Sequence, residues 1–272
     1  MARPGFRGGV LVMRGSQGID RTDADAIAGE GVEWSARLAR LRTNEWRTPI
    51  FFEIVSQEIA ARTGARRPTV LDIGCGLGFD NEIQYQQALS TQAGRYIGIE
   101  PDRAIDPPKL FTEVYHTSLE KAPIAPGSVD VAYAVMVLEH VSDPAAFWSR
   151  LREILAPGGV FVAFSVNGAH WFAPIARFMS IIKLKSKYLD LLQGKLGTER
   201  YEDYPVYYRT NTPRQIRRHT RQFRAVRTDL FGPAGNVASY APGPLQPIVR
   251  AVDSLTYRLL GQSTNIAIRA ER

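Results

Sequence analysis

The sequence has almost no cysteine and little histidine. Cys75 is the only cysteine in 272 residues, which excludes an intrachain disulfide and a thiol-rich metal site. The 4 histidines show no HxxxH spacing and no neighbouring cysteine pair, so the sequence predicts no structural metal. A reducing, cytoplasmic location is the expectation that follows from this cysteine usage.

Long apolar runs are missing as well. No stretch approaches the roughly 20 residues that a membrane-spanning helix needs, and the apolar run at residues 9–13 is too short for a secretory signal. With 44% hydrophobic and 22% charged residues, the composition is that of a globular protein with a full core, which we expect to be soluble. The net charge of +7 leaves nucleic acid, anionic lipid and acidic glycans open as partners.

The N-terminal part divides into two stretches. Residues 1–31 are rich in glycine, arginine and aspartate without a sustained period, and we expect them to be loosely ordered. The remainder, 32–272, is expected to be one domain. Between Trp34 and Ala61 apolar residues recur at helical spacing, which predicts one or two helices that pack on a sheet.

From Pro68 onward, short apolar runs alternate with helix-length segments, the pattern of βαβ units in a doubly wound, parallel α/β fold. A helix is predicted over 143–156, since Asp143 can cap it and Pro144 suits its first position. Pro157 and the two glycines after it are expected to end that helix and lead into a strand. The apolar runs predict strands at 69–74, 95–100, 129–136 and 160–166.

The C-terminal part is expected to carry two insertions. Residues 167–209 are predicted to form a cap or lid around an apolar, basic helical segment at 171–192. Residues 233–262 are predicted to form a second helical insertion with a helix at 245–260. The remaining predicted elements are a helix at 213–223 capped by Thr212, a strand at 226–231 and a last strand at 265–271.

Two features together predict a nucleoside-containing ligand. The first is VLDIGCGLG, residues 70–78, whose three glycines let the backbone turn tightly and approach a ligand between a strand and a helix. The second is Glu100, 22 residues beyond Gly78 at a strand end, where a carboxylate can accept hydrogen bonds from both ribose hydroxyls. Alone, the loop could be an ordinary strand-to-helix turn and the acid a solvated turn residue.

The glycine spacing argues against a dinucleotide. Dinucleotide-binding loops follow GxGxxG, with the third glycine one position later than Gly78, because that glycine lets the helix pack closely. NAD is therefore disfavoured, and an NAD-binding dehydrogenase is kept as a runner-up.

Four segments form an ordered series over residues 68–166: VLDIGCGLG, GIEPD at 98–102, LEKAPIAPGSVDVAYAVMVLEHVSDP at 119–144 and LREILAPGGVFV at 151–162. This series resembles the successive motifs of the class I S-adenosylmethionine-dependent methyltransferases, of the methyltransferase type 11 kind. The resemblance implies a Rossmann-like, seven-stranded, mainly parallel sheet with an antiparallel last strand. It also implies S-adenosyl-L-methionine as methyl donor and S-adenosyl-L-homocysteine as product.

The same resemblance assigns the donor site. It implies that Asp72 acts on the ammonium group of the donor, directly or through water, and that Glu100 binds the ribose with Pro101 beside the adenine. The family often has aspartate at the position of Ser118, so the contact there with the adenine amino group is expected to be weaker or supplied by water. The expected donor-binding residues are Asp72, Gly74, Cys75, Gly76, Gly78, Glu100, Pro101, Ser118, Leu119, Val135 and Met136.

Catalysis would need mainly alignment of the acceptor, exclusion of water and, for a hydroxyl acceptor, removal of a proton. The resemblance places His140 beside the sulfonium, and histidine is the side chain that changes charge near neutral pH. The alternative is that His140 only orients a loop or binds the tail of the donor. His170 is the second candidate base, and Glu139, Tyr207 and Tyr208 are weaker ones.

The acceptor is less well defined by the sequence. The basic run at 217–227 suggests nucleic acid, but it holds few aromatic residues and lies on a helix expected to pack on the sheet, which favours a solvated face. The cap predicts instead an apolar wall with lysines at its rim, and so a small-molecule, lipid or glycan acceptor methylated on a hydroxyl. The wall residues are Trp171, Phe172, Phe178, Met179, Ile182 and Tyr188, and the rim residues are Lys183, Lys185 and Lys187.

Several alternatives stay open. The chain could be an RNA or protein methyltransferase, or a non-catalytic domain that binds the donor. The segment 167–209 fits a mobile lid, a permanently packed helix, a dimer contact or a peripheral membrane surface.

Overall fold

The computed structural model describes residues 34–41, 45–76, 78–181, 204–232, 235, 237–238 and 241–272. The segment 1–31, predicted to be loosely ordered, lies outside the described residues, as do positions 182–203 of the predicted cap.

The described residues form one seven-stranded sheet, in the order β3-β2-β1-β4-β5-β7-β6. Neighbouring strands are parallel except where β7 pairs with β5 and β6, and both of those pairings are antiparallel. The predicted doubly wound, mainly parallel sheet with an antiparallel last strand is therefore confirmed. The strands are β1 (Thr69–Ile73), β2 (Arg95–Ile99), β3 (Glu113–Tyr115), β4 (Val129–Val135), β5 (Leu155–Val166), β6 (Ala225–Phe231) and β7 (Asn265–Glu271).

Helices cover both faces of this sheet and one of its edges. Residues 34–40 are helical, and short 3-10 turns occupy Leu119–Lys121, Leu138–His140 and Gly243–Leu245. No helix in the described ranges is long and apolar enough to cross a bilayer. The α-helices are α1 (Arg47–Ala61), α2 (Ile83–Gln92), α3 (Pro144–Ile154), α4 (Phe172–Ile181), α5 (Pro213–His219) and α6 (Gln246–Leu260).

Two helix starts agree with the predicted caps. The Asp143 carboxylate accepts hydrogen bonds from the backbone N–H groups of Ala145 and Ala146, with Pro144 in the first turn of α3. The Thr212 hydroxyl caps α5 in the same way by accepting from the Gln215 N–H. Both sequence signals thus act through the local chemistry that was inferred for them.

Some boundaries differ from the prediction. β5 begins at Leu155 rather than at 160, because Leu155 already pairs with Val129, ahead of an irregularity in β5 after which Val160 pairs with Val131. α5 ends at His219 rather than at 223, and the turn that follows brings Phe223 into the core. β3 was not located from the sequence, since its three residues are only partly buried and form no apolar run.

The sheet separates two apolar clusters, as the alternation of side chains along each strand requires. On one face, Leu71 and Ile73 pack with α3 and α5. On the other face, Val70 packs with α1 and the helical residues 34–40. The ring of Phe51 stacks on Phe164 with centroids 3.6 Å apart, so the helices before β1 pack on the sheet as predicted.

The strand order reverses between β1 and β4, which creates a crevice beyond their carboxyl ends. The glycine loop follows β1, Glu100 follows β2 and His140 follows β4, so these residues meet at one edge of the sheet. α4 follows β5 and α6 precedes β7, which places both helices at the same edge.

Candidate active site

The glycine loop is fastened to the neighbouring strand. The backbone N–H groups of Gly74 and Cys75 both donate to the Ile99 carbonyl oxygen, at 2.8 and 3.0 Å. Gly74 has φ +78°, and a Cβ at this position would collide with the Cγ2 of Val137. Glycine is required here by the left-handed backbone and by the close approach of the segment after β4.

Glu100 points into this loop. Its Oε2 accepts a hydrogen bond from the Gly76 N–H at 3.0 Å, and its Oε1 accepts one from the Asp102 N–H at 2.9 Å. Burial raises the pKa of Glu100, and the hydrogen bonds from Asp102 and Gly76 oppose that rise. A Cβ on Gly76 would lie 3.1 Å from Oε2, so the missing side chain leaves room beside the carboxylate.

Asp72 lies at the carboxyl end of β1 and is 3% exposed. Its Oδ2 accepts hydrogen bonds from the Tyr133 hydroxyl at 2.6 Å and from Gln86 Nε2 at 2.8 Å, with the Tyr96 hydroxyl at 3.5 Å. Burial raises the pKa of Asp72 to about 7, although these hydrogen bonds lower it. Asp72 therefore titrates near neutral pH, with no cationic side chain among these partners.

Gln86 was not singled out by the sequence. It is fully buried on α2, where its Nε2 donates both to Asp72 and to the Cys75 carbonyl oxygen at 2.8 Å. Its Oε1 is buried and accepts no hydrogen bond from the described residues. A glutamine on a helix is usually a surface residue, so only the packing of α2 against β1 reveals this position.

The loop continues past Gly78 for four residues before α2 begins. Gly78 has φ +131°, and Asp80 and Asn81 also have positive φ, so the helix starts later than a strand-loop-helix turn would place it. Asp80 accepts two hydrogen bonds from the Arg47 guanidinium, each at 2.7 Å, and one from the Thr48 hydroxyl at 2.8 Å. The start of α1 thus holds the end of the glycine loop.

The residues expected near the adenine occupy the edge beyond β2 and β3. Pro101 is exposed and Ser118 is half-buried at the start of a 3-10 turn. Leu119 is 3% exposed and belongs to the apolar cluster that contains Leu71 and Ile73.

Val135 is the last residue of β4, one residue short of the predicted strand end, and Met136 follows it; both are half-buried. Met136 has φ +56°, which is sterically unfavourable for a side chain of this size, and its N–H donates to the Phe164 carbonyl oxygen at 2.7 Å. Such strain persists only where the surroundings enforce it, and it is frequent at functional sites.

His140 is half-buried, and its orientation is fixed by the chain that returns from the cap. Its Nδ1 lies 2.9 Å from the carbonyl oxygen of Pro205. Because a carbonyl oxygen only accepts hydrogen bonds, Nδ1 must carry the proton, and Nε2 in the neutral ring is left with a free lone pair. The ring of Tyr204 packs edge-on against His140 with centroids 5.8 Å apart.

Glu139 lies next to His140 but faces the interior. It is 5% exposed, and its Oε2 accepts a hydrogen bond from the Ser165 hydroxyl at 2.6 Å. The Asn211 side-chain amide donates to the same hydroxyl at 2.8 Å. The Glu139 carbonyl oxygen accepts from the N–H groups of Tyr207 and Tyr208, which places these two weaker candidates beside the same segment.

His170 lies in the cap, within a buried polar cluster. Its Nε2 is 2.9 Å from Oδ1 of Asp253 on α6, and Trp171 Nε1 donates to the same oxygen at 2.8 Å. Burial lowers the pKa of His170, and Asp253 opposes that change. Within the predicted apolar wall, Trp171 is half-buried and Phe178 is exposed, whereas the Met179 side chain, Ile182, Tyr188 and the three rim lysines lie outside the described residues.

The sequence profile of a methyltransferase-domain family matches residues 41–203. The chain is similar to a probable S-adenosylmethionine-dependent methyltransferase of Mycolicibacterium smegmatis, with 33% identity over 119 residues, 42% of this chain and 44% of that protein. It is similar to a ubiquinone biosynthesis O-methyltransferase of Dinoroseobacter shibae, with 26% identity over 163 residues, 56% of this chain and 66% of that protein. The chain thus spans about half to two thirds of the length of these relatives.

Among solved structures, the fold is similar to an S-adenosylmethionine-dependent methyltransferase of Mesorhizobium loti. The TM-score is 0.48 at 17% sequence identity, and the match covers 81% of this chain and 100% of that chain.

Proposed function

This chain belongs to the family of S-adenosylmethionine-dependent methyltransferases, and from that premise we propose that it methylates a hydroxyl oxygen of a small-molecule, lipid or sugar acceptor. The donor supplies a methyl group that its sulfonium already activates. The protein then has to hold the donor, align the acceptor hydroxyl and remove its proton.

Donor binding is assigned to two buried carboxylates. Glu100, oriented by the backbone N–H groups of Gly76 and Asp102, would accept the ribose hydroxyls. Asp72 would compensate the ammonium group, directly or through water, and Gln86 Oε1, which accepts no hydrogen bond from the described residues, offers a further acceptor. Two buried carboxylates and an unpaired amide oxygen suit a cationic ligand with hydroxyl and ammonium donors.

The single observation that carries the proposed base is the hydrogen bond between His140 Nδ1 and the Pro205 carbonyl oxygen, 2.9 Å long. It fixes the tautomer in which Nε2 is the basic nitrogen, so Nε2 would take the proton of the acceptor hydroxyl as the methyl group is transferred. Glu139 and His170 remain weaker candidates, because each already makes a buried hydrogen bond to a neighbouring side chain.

Two observations support the acceptor class. In the basic run 217–227, Arg224 pairs with Glu271 and Arg227 pairs with Asp229, and α5 packs on the sheet through Ile216. These pairs reduce the positive charge available to a phosphate backbone. The Dinoroseobacter shibae relative is named as an O-methyltransferase, which supports a hydroxyl acceptor.

Methyl transfer from isotopically labelled S-adenosylmethionine tests the proposal on a panel of phenols, sugars and lipid extracts, with RNA and protein fractions alongside. We expect a product one methyl group heavier in a hydroxyl-bearing small-molecule or lipid fraction. Label that enters only RNA or protein would overturn the acceptor class.

The base is tested on the accepted substrate. His140→Ala should lower kcat by about 100-fold or more while leaving S-adenosylhomocysteine affinity nearly intact in calorimetry. His219→Ala, which removes a partly buried histidine from α5, is the matched control and should keep full turnover. Equal loss of donor affinity in His140→Ala would place His140 in the donor pocket instead.

A further inference from the structure

α6 presents its apolar face to solvent. Its one buried side chain is Asp253, a carboxylate. The exposed apolar residues recur at helical spacing on the opposite side, whereas a surface helix ordinarily buries its apolar stripe. We call them the outer stripe: Ile248 (61% exposed), Val252 (42%), Leu255 (56%) and Leu259 (73%).

Hydrogen bonds to Asp253 set the orientation of α6. Asp253 Oδ1 accepts hydrogen bonds from His170 and Trp171, and Asp253 Oδ2 accepts one from the Gly235 N–H at 2.5 Å. These three contacts hold the polar side of α6 against the protein. The outer stripe is therefore held outward.

The neighbouring helix α4 also exposes apolar side chains. α4 begins beside Trp171, which bonds to α6, and it exposes Ile175 (47%) and Phe178 (61%). The sequence of α4 contains no acidic residue, and the only acid of α6 is the buried Asp253. The exposed charged residues of the two helices are Arg177, Arg250 and Arg258.

We propose that the outer stripe and the exposed part of α4 dock on the surface of an anionic lipid bilayer. An interfacial helix inserts an apolar face a few ångströms into the headgroup region while basic residues contact anionic lipids. A few aliphatic side chains give only modest affinity, and each arginine near an anionic surface raises it about fivefold. Binding should therefore require anionic lipid.

A second copy of the chain fits this surface less well. The stripe from Ile248 to Leu259 is only about 17 Å long at 1.5 Å per residue. A ridge of one helix is small beside the roughly 800 Å² per partner that stable interfaces bury. Two copies would also bring the arginines of both helices towards each other, which opposes association.

The proposal does not depend on the identity of the acceptor, because vesicle binding is measured without turnover. The surface lies at the edge of the sheet that carries the active site, so docking would also bring that edge to the lipid.

A single fluorescent label gives the sharpest test. Cys75 is the only cysteine, it is buried, and burial raises the pKa of its thiol, so a second cysteine can be labelled selectively. Val252→Cys carries an environment-sensitive dye on the stripe, and Thr91→Cys is the control, since Thr91 is exposed near the other end of α2, away from the edge that docks. The dye at 252 should shift to the blue with phosphatidylcholine–phosphatidylglycerol vesicles and stay unchanged with phosphatidylcholine alone.

Co-sedimentation with the same vesicles tests the surface as a whole. The variant Ile248→Ser/Val252→Ser/Leu255→Ser/Leu259→Ser should lose about tenfold or more of the vesicle partitioning, and Arg177→Gln/Arg258→Gln should lose much of its dependence on anionic lipid. Unfolding temperatures without vesicles should match the parent, because the replaced side chains are exposed.

Three results would overturn the proposal. One is absence of parent binding to anionic vesicles at low salt, and another is equal binding by the serine variant. The third is a parent dimer that the serine substitutions convert to monomer in light scattering, which would assign the stripe to a second copy.

Discussion

The phenol of Tyr204 donates a hydrogen bond to Oδ2 of Asp102, at 2.5 Å. The next residue, Pro205, accepts the hydrogen bond from His140. Asp102 follows β2 and His140 follows β4, and β1 lies between those strands in the sheet. Residues 204 and 205 therefore cross the carboxyl end of β1, beside the glycine loop.

This crossing predicts that Tyr204 controls how fast the donor product leaves. Tyr204→Phe removes the hydrogen bond to Asp102 that holds residues 204 and 205 across the donor site. Loss of a hydrogen bond worth about 1 to 1.5 kcal/mol should let this segment move away roughly five- to tenfold faster. Stopped-flow dissociation of S-adenosylhomocysteine should accelerate by that factor, with a smaller change in Kd. Tyr85→Phe on α2 is the control, and an unchanged dissociation rate in Tyr204→Phe would contradict the prediction.

Asp72 predicts a trade-off between stability and donor binding. Burial raises its pKa to about 7 from an ordinary value of 3.8, so the protonated form favours folding. This contribution is complete below pH 3.8 and is lost as the pH rises towards about 7, where the buried group must ionise. An uncharged replacement avoids that loss.

At about pH 8, Asp72→Asn should therefore raise the free energy of unfolding of the ligand-free protein by roughly 2 to 4 kcal/mol, and its unfolding temperature with it. At about pH 5 the gain should be smaller. The same variant should bind S-adenosylmethionine at least about tenfold more weakly, because it loses the carboxylate. Asp106→Asn on an exposed loop is the control. A lower melting temperature in Asp72→Asn at both pH values would count against the assignment.

The parts of the fold that the sequence predicted are those in which local chemistry decides the structure. β1 and β4 are mainly apolar runs, and β7 ends in alternating apolar and charged residues. Asp143 and Thr212 are helix caps whose partners lie two or three residues away. β3 could not be predicted, because it has no apolar pattern of its own. Only its pairing with β2 makes it a strand.

In the candidate site, too, contacts within one local unit could be predicted and contacts between distant segments could not. The spacing from the glycine loop to Glu100 follows from one βαβ unit, so the approach of Glu100 to this loop, seen in its hydrogen bond from Gly76, could be predicted. The contact between Gln86 and Asp72 depends on how α2 packs, and the contact between Pro205 and His140 joins residues 65 positions apart. The tautomer of His140 follows from that second contact, so no local pattern could have revealed it.

Substitution of Gly74 is predicted to lower the free energy of unfolding by more than backbone strain alone would. Gly74 and Gly158 have nearly equal φ values, +78° and +75°, but a Cβ would collide with Val137 at Gly74 and would meet nothing within 4 Å at Gly158. Gly158→Ala should cost about 1 kcal/mol of unfolding free energy, whereas Gly74→Ala should cost about 1 to 3 kcal/mol more and weaken donor binding. Denaturant titration measures both, and equal losses would show that the loop yields to the added methyl group.

The buried pair of His170 and Asp253 predicts that acid loosens the cap. His170 Nε2 faces Asp253, and its Nδ1 accepts the Phe172 N–H at 3.4 Å, an arrangement that requires the neutral ring. Burial lowers the pKa of His170 below its ordinary value of 6.5, so the stability that depends on the neutral ring is present above pH 6.5. This stability is lost as the pH falls through the lowered pKa. The reason is that His170 takes up a proton at a higher pH in forms in which the cap is detached than it does when buried.

Hydrogen exchange corrected for intrinsic rates should therefore be faster in α4 and α6 at about pH 5.5 than at about pH 7.5, while β1 and β4 stay protected. His170→Asn should flatten this pH dependence, since its amide can still donate to Asp253 but does not titrate. His219→Asn is the control, because His219 lies on α5 and should leave exchange in the cap unchanged. If α4 and α6 of the parent exchange equally at both pH values, His170 does not couple protonation to the attachment of the cap, and Asp253 alone holds α6 in place.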